Sequence, residues 1–504
     1  MRLNFAFIVF AGYSAFALAQ PQTKSNLEAS HRNTSNQTLS IQTQSTQMQS
    51  TQHPVVDPLS NTHLIDQAIE YYFPVYEMAR TRYLMSHYAL NPAKREPNML
   101  FHQRALADHR ARTVTTPNTD TLYSSSWLDL KASPVSLWIP PIADRYWSIA
   151  FMDVFTNNFL MLGSRLGDSS DGRATEVLLV GPDEDHKQLA SLYEKRFAKP
   201  MPASLRVLRS PSNDVWMLGR WLVDSTEEAR AAHHIQDATR LETLRADPSY
   251  VQNHTPQNEP SAELFVKVVS EMMARNPAPS DEQAEVKTWE AVGLRTELKA
   301  WDRIAAMSSA EHDLAKLWQS RWLEKRQEFK QGLMSSNRSI QGWSLPDAQI
   351  GNYGKNYALR ARIALGGLGA LEPAEAVYLT AAKDAEGKPF SGANRYRLVI
   401  PPGGIPAKAF WSITMYEVMP DGRLFFIANE LRRFALGDRS PGISKRSDGS
   451  FDLWLSTDAP SSPEAKAAWL PSPKGEFRLT LRAYVPSEAM ITGEVTMPVI
   501  ERLP

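Results

Sequence analysis

A strand written twice constrains this chain more than any other feature. RYWSIAFMDV occupies residues 145–154 and FWSITMYEV occupies 410–418. With Trp147 set on Trp411, Ser148 meets Ser412, Ile149 meets Ile413 and Val154 meets Val418, while Asp153 falls on Glu417 and keeps its charge. Upstream, WIPP at 138–141 is echoed by VIPP at 399–402. Side chains alternate along a strand, so Trp147, Ile149, Phe151 and Asp153 share one face, as do Trp411, Ile413, Met415 and Glu417. An apolar stripe ending in an acid suits a core strand that emerges at a rim. Duplication accounts for two such strands and predicts two kindred β-rich regions.

The rest of the chain fits that plan. Short β-branched and aromatic runs bounded by Pro, Gly and Asp (VSLWIPP, TEVLLVGP, VWMLGRWLV) mark strands between about 113 and 223. Strands return from about Tyr378 as YRLVIP, FWSITMY, LFFIA, FDLWLS and FRLTLRAYV, separated by PPGG, PDGR and SDGS turns. Their regular spacing points to a sandwich or jelly roll. Between the two regions the period becomes helical. Ser225 with Glu228, Ser280 with Gln283 and Ser308 with Glu311 read as capping boxes. Leu314, Leu317, Trp318, Trp322, Phe329 and Leu333 form one apolar side of a last helix, expected to be core. A further helix carries Leu64, Ala68, Tyr72, Val75, Tyr76, Ala79 and Tyr83, with Pro74 expected to kink or split it.

The first residues read differently. One Arg, an apolar run and Ala17-Leu18-Ala19 resemble a cleaved secretory signal over 1–19. The Gln/Ser/Thr-rich stretch 20–54 has too little apolar surface to offset ordering and reads as a disordered spacer. The expected location is secreted or periplasmic. The chain has no Cys, so disulfides, thiolate zinc sites and thiol nucleophiles are excluded. Lys plus Arg equals Asp plus Glu at 55 each, without a long basic run, which argues against a nucleic-acid partner. No membrane span is expected in the mature chain.

TPNTDTLY (116–123), Trp127, Asp129 and RYWSIAFMDVFTNN resemble the signature of domain-of-unknown-function family 1254. The C-terminal half resembles family 1214, through Tyr378, Asp384, Gly387, Tyr396, Phe410, Trp411, Ser412, Thr414, Tyr416, Asn429, Arg433, Gly437, Asp438, Trp469, Arg482 and Tyr484. GEVTMP departs from that pattern, with Val495 and Met497 at places usually held by Trp and Pro. The resemblance implies an α+β multidomain fold of two β-rich lobes, the C-terminal one a jelly-roll-like sandwich, joined by a helical region. The expected parts are 55–224, a helical connector at 225–345 and a sandwich at 346–504. It brings no established reaction.

Candidate chemistry centres on a few polar clusters. Asp120, Asp153 and Tyr123 are the candidate acid–base groups. Asn118, Asn157, Asn158 and Tyr416 are candidate substrate-binding groups, joined by Arg432 and Arg433, whose guanidinium groups suit a carboxylate. The same residues also suit stapled turns and internal ion pairs. HExxH, GxSxG, GxGxxG and P-loop stretches do not occur, and all eleven His lie at or before His312. No metal and no cofactor are therefore expected. The reading is a small-molecule-handling protein: a cofactor-independent enzyme acting on a small, largely apolar substrate in a cleft between the lobes. The alternatives are a non-catalytic carrier or sensor, or a cell-surface interaction protein. Oligomeric state is left open.

Overall fold

The structure, a computed structural model, describes residues 58–86, 96–112, 115–224, 228–246, 250–295, 299–309, 313–332 and 338–504. The expected signal (1–19) and spacer (20–54) lie outside the described residues, as do Ser225, Glu311 and Leu333.

The fold is α+β. In chain order the first strands are β1 (Phe101–His102), β2 (Thr121–Asp129), β3 (Val135–Ile139), β4 (Trp147–Met152), β5 (Asn158–Gly163), β6 (Thr175–Val180), β7 (Arg206–Arg209), β8 (Asp214–Leu222) and β9 (Arg240–Thr243). They form two sheets, ordered β1-β2-β8-β4-β5 and β7-β6-β3-β9. The later strands are β10 (Ser339–Ile340), β11 (Trp343–Ser344), β12 (Ala376–Ala381), β13 (Tyr396–Ile400), β14 (Ala407–Val418), β15 (Leu424–Phe425), β16 (Ala435–Gly437), β17 (Phe451–Ser456), β18 (Trp469–Pro471), β19 (Phe477–Pro486) and β20 (Ile500–Arg502). Their sheets run β10-β11-β12-β19-β14-β15, with β16 also on β14, and β18-β17-β13-β20.

These are one arrangement twice over. In the first, β2-β8-β4-β5 corresponds to β12-β19-β14-β16; in the second, β7-β6-β3-β9 corresponds to β18-β17-β13-β20. The registers agree as well. Trp147 lies opposite Trp221 as Trp411 lies opposite Ala483. Val135 pairs with Leu179 and Thr243, while Tyr396 pairs with Leu455 and Arg502. Even the parallel pairs recur, with Leu179 on Leu208 and Leu455 on Leu470. The echoed WSI strand is thus the visible part of a whole structural repeat.

The apolar stripes do what alternation requires. Trp147, Ile149 and Phe151 join Val135, Leu137, Ile139, Val177 and Leu179 in a core between the first two sheets. Trp411, Ile413 and Met415 join Leu398, Ile400, Leu453, Leu479 and Leu481 between the second two. The opposite face of the β2-β8-β4 sheet carries Trp127, Trp216 and Met152 into a third core, which is mainly helical.

The helices of that core come from three separate stretches. They are α1 (Pro58–Ser86), the helices Ala262–Met273 and Leu314–Gly332, and the helix Tyr357–Gly366. Helix α1 is buried along most of its length because it is apolar on most sides, and it runs on past Pro74 rather than splitting there. Trp318 and Trp322 are core, as expected, and donate their ring N–H groups to Val292 O and Pro260 O at 3.0 and 2.7 Å. The expected boundaries shift accordingly. Strand β9 takes the first repeat past 224 to Thr243, and β10 and β11 start the second before 346. The helical layer includes residues on both sides of the expected 225–345 connector. At Ser280 the expected capping box is not formed: the helix begins at Gln283 after Glu282, with no side-chain cap.

Candidate functional site

The loop TPNTD folds onto the second repeat. Asn118 Oδ1 accepts the backbone N–H of Asp120 at 2.8 Å, the local turn expected of Asn two residues upstream. Its Nδ2 lies 3.2 Å from the Tyr123 hydroxyl and 3.0 Å from that of Tyr484. Asp120, buried, accepts a hydrogen bond from Ser412 Oγ at 2.7 Å. The Tyr416 hydroxyl donates to Pro117 O at 2.7 Å and accepts from Arg482 Nη2 at 2.6 Å. Arg482 also donates to Thr116 O at 3.1 Å and to Thr414 Oγ1 at 2.8 Å.

The second repeat returns the gesture. Across its sheet Tyr123, Arg220, Ser148 and Gly163 lie in one row, and Tyr378, Arg482, Ser412 and Gly437 make the same row in the second repeat. Glu375 holds the place of Asp120: the carbonyl of each accepts the N–H of the matching strand end, Val485 and Val223. Glu375 accepts from the Tyr146 hydroxyl at 2.6 Å and from Arg165 Nε at 2.5 Å, while the Tyr146 oxygen accepts from Ser148 Oγ at 3.0 Å. Arg220 Nη2 donates to Gly369 O at 2.9 Å, in the loop before the second repeat's first row strand. Each repeat therefore lends a loop and an acid to the other's arginine row. Tyr146, Phe410 and Tyr484 pack between them, with Phe410 stacked on Tyr484 at 4.1 Å.

This junction is polar, aromatic and buried. Burial pushes the Tyr378 and Tyr484 hydroxyls above the ordinary phenol range, with the Arg220 and Arg482 charges opposing respectively. Burial likewise lifts Tyr416 to about 12 against the pull of Arg482. All three are neutral donors near pH 7. Both acids are already engaged, Asp120 by Ser412 and Glu375 by Tyr146 and Arg165.

Of the residues singled out in the sequence, the junction gathers Asn118, Asp120, Tyr123 and Tyr416. Asp153 lies elsewhere. Thr121 pairs at the Leu222 end of β8 and Met152 at the Trp216 end, opposite Trp127. Six residues of strand put the two acids about 20 Å apart along the sheet. Asp153 closes a turn, accepting from the N–H groups of Phe155 and Asn157 at 2.9 Å each and from Asn157 Nδ2 at 3.1 Å. Burial raises its carboxyl to about 6, opposed by those hydrogen bonds and by the Arg360 charge. Asn158 ties the same turn to Ala370 O at 2.9 Å. Arg433 caps the carbonyls of Lys466 and Trp469 at 2.8 Å, and Arg432 is exposed, 3.6 Å from Asp108. A shallow cleft lined by Met85, Met99, Phe101 and Trp127 opens near the far end of β2, and none of these candidates lines it.

Sequence reasoning missed Arg220, Glu375 and Tyr146 as site residues. A longer alignment of the repeats would have found the first two: TPNTDTLY sets against LEPAEAVY (371–378) and GRWL (219–222) against LRAY (481–484). Among the described residues no three His, Asp or Glu side chains cluster as a metal site needs, and no described helix is long and apolar enough to cross a membrane.

Residues 97–243 match the model of a protein family of unknown function, DUF1254, and 375–488 match that of a second, DUF1214. No curated protein matches the chain significantly. The crystal structure of the VPA0106 protein from Vibrio parahaemolyticus is similar over 88% of this chain and 100% of its own, at 21% identity and a TM-score of 0.66, a likeness of fold. An uncharacterized protein from Burkholderia cenocepacia aligns over 89% of this chain and 90% of its own at 10% identity, with a TM-score of only 0.41. The chain is thus a protein whose N-terminal half carries a DUF1254 region and whose C-terminal half carries a DUF1214 region.

Proposed function

We propose that this is an exported protein that binds a small, largely apolar molecule at the junction of its two repeats and holds it without turnover. In this reading the repeats are two lobes, the second a jelly-roll-like sandwich, and residues 1–19 are the export signal. One observation carries it: the hydroxyls of Tyr123 and Tyr484 converge on Asn118, with Tyr378 OH 3.5 Å from Tyr484 OH, while every acid at the junction is occupied. Aromatic walls with a few oriented donors are what a small-molecule site requires. A carboxylate acting as general base has to reach the substrate, and Asp120 is held by Ser412 instead. This favours carriage or sensing over catalysis.

The test is native mass spectrometry of the full chain as expressed, beside a Tyr123→Phe/Tyr378→Phe variant. The wild type should retain a small molecule that the variant loses. A wild type free of any bound molecule, or turnover of the captured molecule that depends on Asp120, would overturn the reading. The same spectra check export, since the mature mass should begin near Gln20.

A further inference from the structure

We infer that Arg220 is a carboxylate-binding residue, and that the molecule held at the junction bears a carboxylate. This rests on the binding reading above and names the chemistry of its ligand.

Two equivalent arginines differ in their partners. Arg220 and Arg482 hold the same register position in the two repeats, opposite Ser148 and Ser412, and both are 3% exposed. Arg482 is satisfied. Its Nη1 reaches Thr414, its Nη2 reaches Tyr416 and Thr116 O, and the nearby Asp120 carboxylate favours its charge without a direct ion pair. In the first repeat those partners have been replaced. Thr414 corresponds to Ala150 and Tyr416 to Met152, both apolar, by their pairing to β8 and β19. The counterpart acid, Glu375, is taken by Arg165. Among the described residues Arg220 keeps one hydrogen bond, to Gly369 O, and its Nε and Nη1 are buried with no partner. No carboxylate lies within ion-pair distance of it among the described residues.

A guanidinium stays charged at any physiological pH. Buried N–H donors left unpaired are costly, and a buried charge without a partner costs more still. The fold has satisfied one copy of this arginine and stripped the other of its hydroxyls. Around Arg220 stand the ring of Tyr123, with the guanidinium carbon 5.4 Å from its centroid, and the Tyr378 and Tyr484 phenols. A planar oxyanion takes two N–H donors at once, and neutral phenols supply further donors to it. One guanidinium without a paired acid matches one negative charge, which selects a carboxylate over a doubly charged phosphate. The phenyl and apolar groups of Tyr146, Ala150, Met161 and Phe410 nearby suit an apolar remainder.

The experiment uses probes small enough to need no particular shape. The full chain is melted in acetate and in acetamide, and in benzoate and benzamide, at matched ionic strength. The wild type should gain about 2–4 °C in Tm from the acids at concentrations well above Kd, and at least tenfold less affinity should be found for the amides. Ala150→Thr restores the hydroxyl that Arg482 enjoys. It should raise the Tm of the unliganded protein and cut the affinity for both acids about tenfold. Arg220→Lys should keep a weakened preference for acid over amide. Equal response to acid and amide in the wild type, or undiminished acid binding in Ala150→Thr, would sink the carboxylate inference and leave the binding site standing. A wild type that responds to none of the four probes would sink both.

Discussion

Asp153 holds its turn with a carboxyl whose affinity for protons burial has raised. Its folded value of about 6 lies above the unfolded value of about 3.9. A carboxyl raised on folding contributes stability that is full below pH 3.9 and is lost as pH rises through 6. The wild type should therefore lose roughly 3 kcal/mol relative to Asp153→Asn between pH 4 and pH 7. Urea denaturation of both across that range measures the difference; parallel curves would show that the carboxyl titrates normally. Ser412→Ala makes the complementary test, because Asp120 is buried and accepts from that hydroxyl. Losing it should cost about 1–3 kcal/mol. Both residues stood out in the sequence, yet their fates differed for a reason the sequence hides. An acid at a strand end can turn back on its own loop, as Asp153 does, or reach a partner 292 positions away, as Asp120 does. Only the packing of one repeat on the other decides which.

At the level of elements, the paired rows end on two glycines that cannot be replaced. A Cβ on Gly163 would lie 2.6 Å from Trp147 O, and one on Gly437 would lie 2.2 Å from Trp411 O. Both obstacles are backbone of the echoed strand, which cannot step aside. Gly163→Ala and Gly437→Ala should each destabilise by roughly 1–3 kcal/mol, whereas Gly475→Ala, with open space around it, should stay within about 0.5 kcal/mol. Thermal melts of the three variants would decide. Nine of the twenty strands among the described residues were legible, since apolar and aromatic runs marked β3, β4, β6, β8, β13, β14, β15, β17 and β19. Strands β9 and β20 were not, being three or four residues long with no turn pair beside them. The parallel pairs β6–β7 and β17–β18 were equally invisible, because a parallel neighbour arrives by a crossover and not by a hairpin.

Across the molecule, the helical layer is pinned to the first repeat by a buried charge cluster. Arg275 reaches Asp129 at 2.5 Å and Asp214 at 2.6 Å, Asn276 Nδ2 reaches Asp214 at 2.7 Å, and Arg82 lies 3.6 Å from Asp214. Removing one member strands the others, so Arg275→Met should cost about 3–5 kcal/mol in chemical denaturation. A smaller loss would mean that water reaches the cluster. The exchange of loops and acids between repeats is the kind of contact that two identical subunits make about a twofold axis. Identical subunits are bound to treat both copies of every residue alike. Joined in a single chain, the halves are released from that equality, and one arginine can serve as masonry while its twin keeps donors in hand.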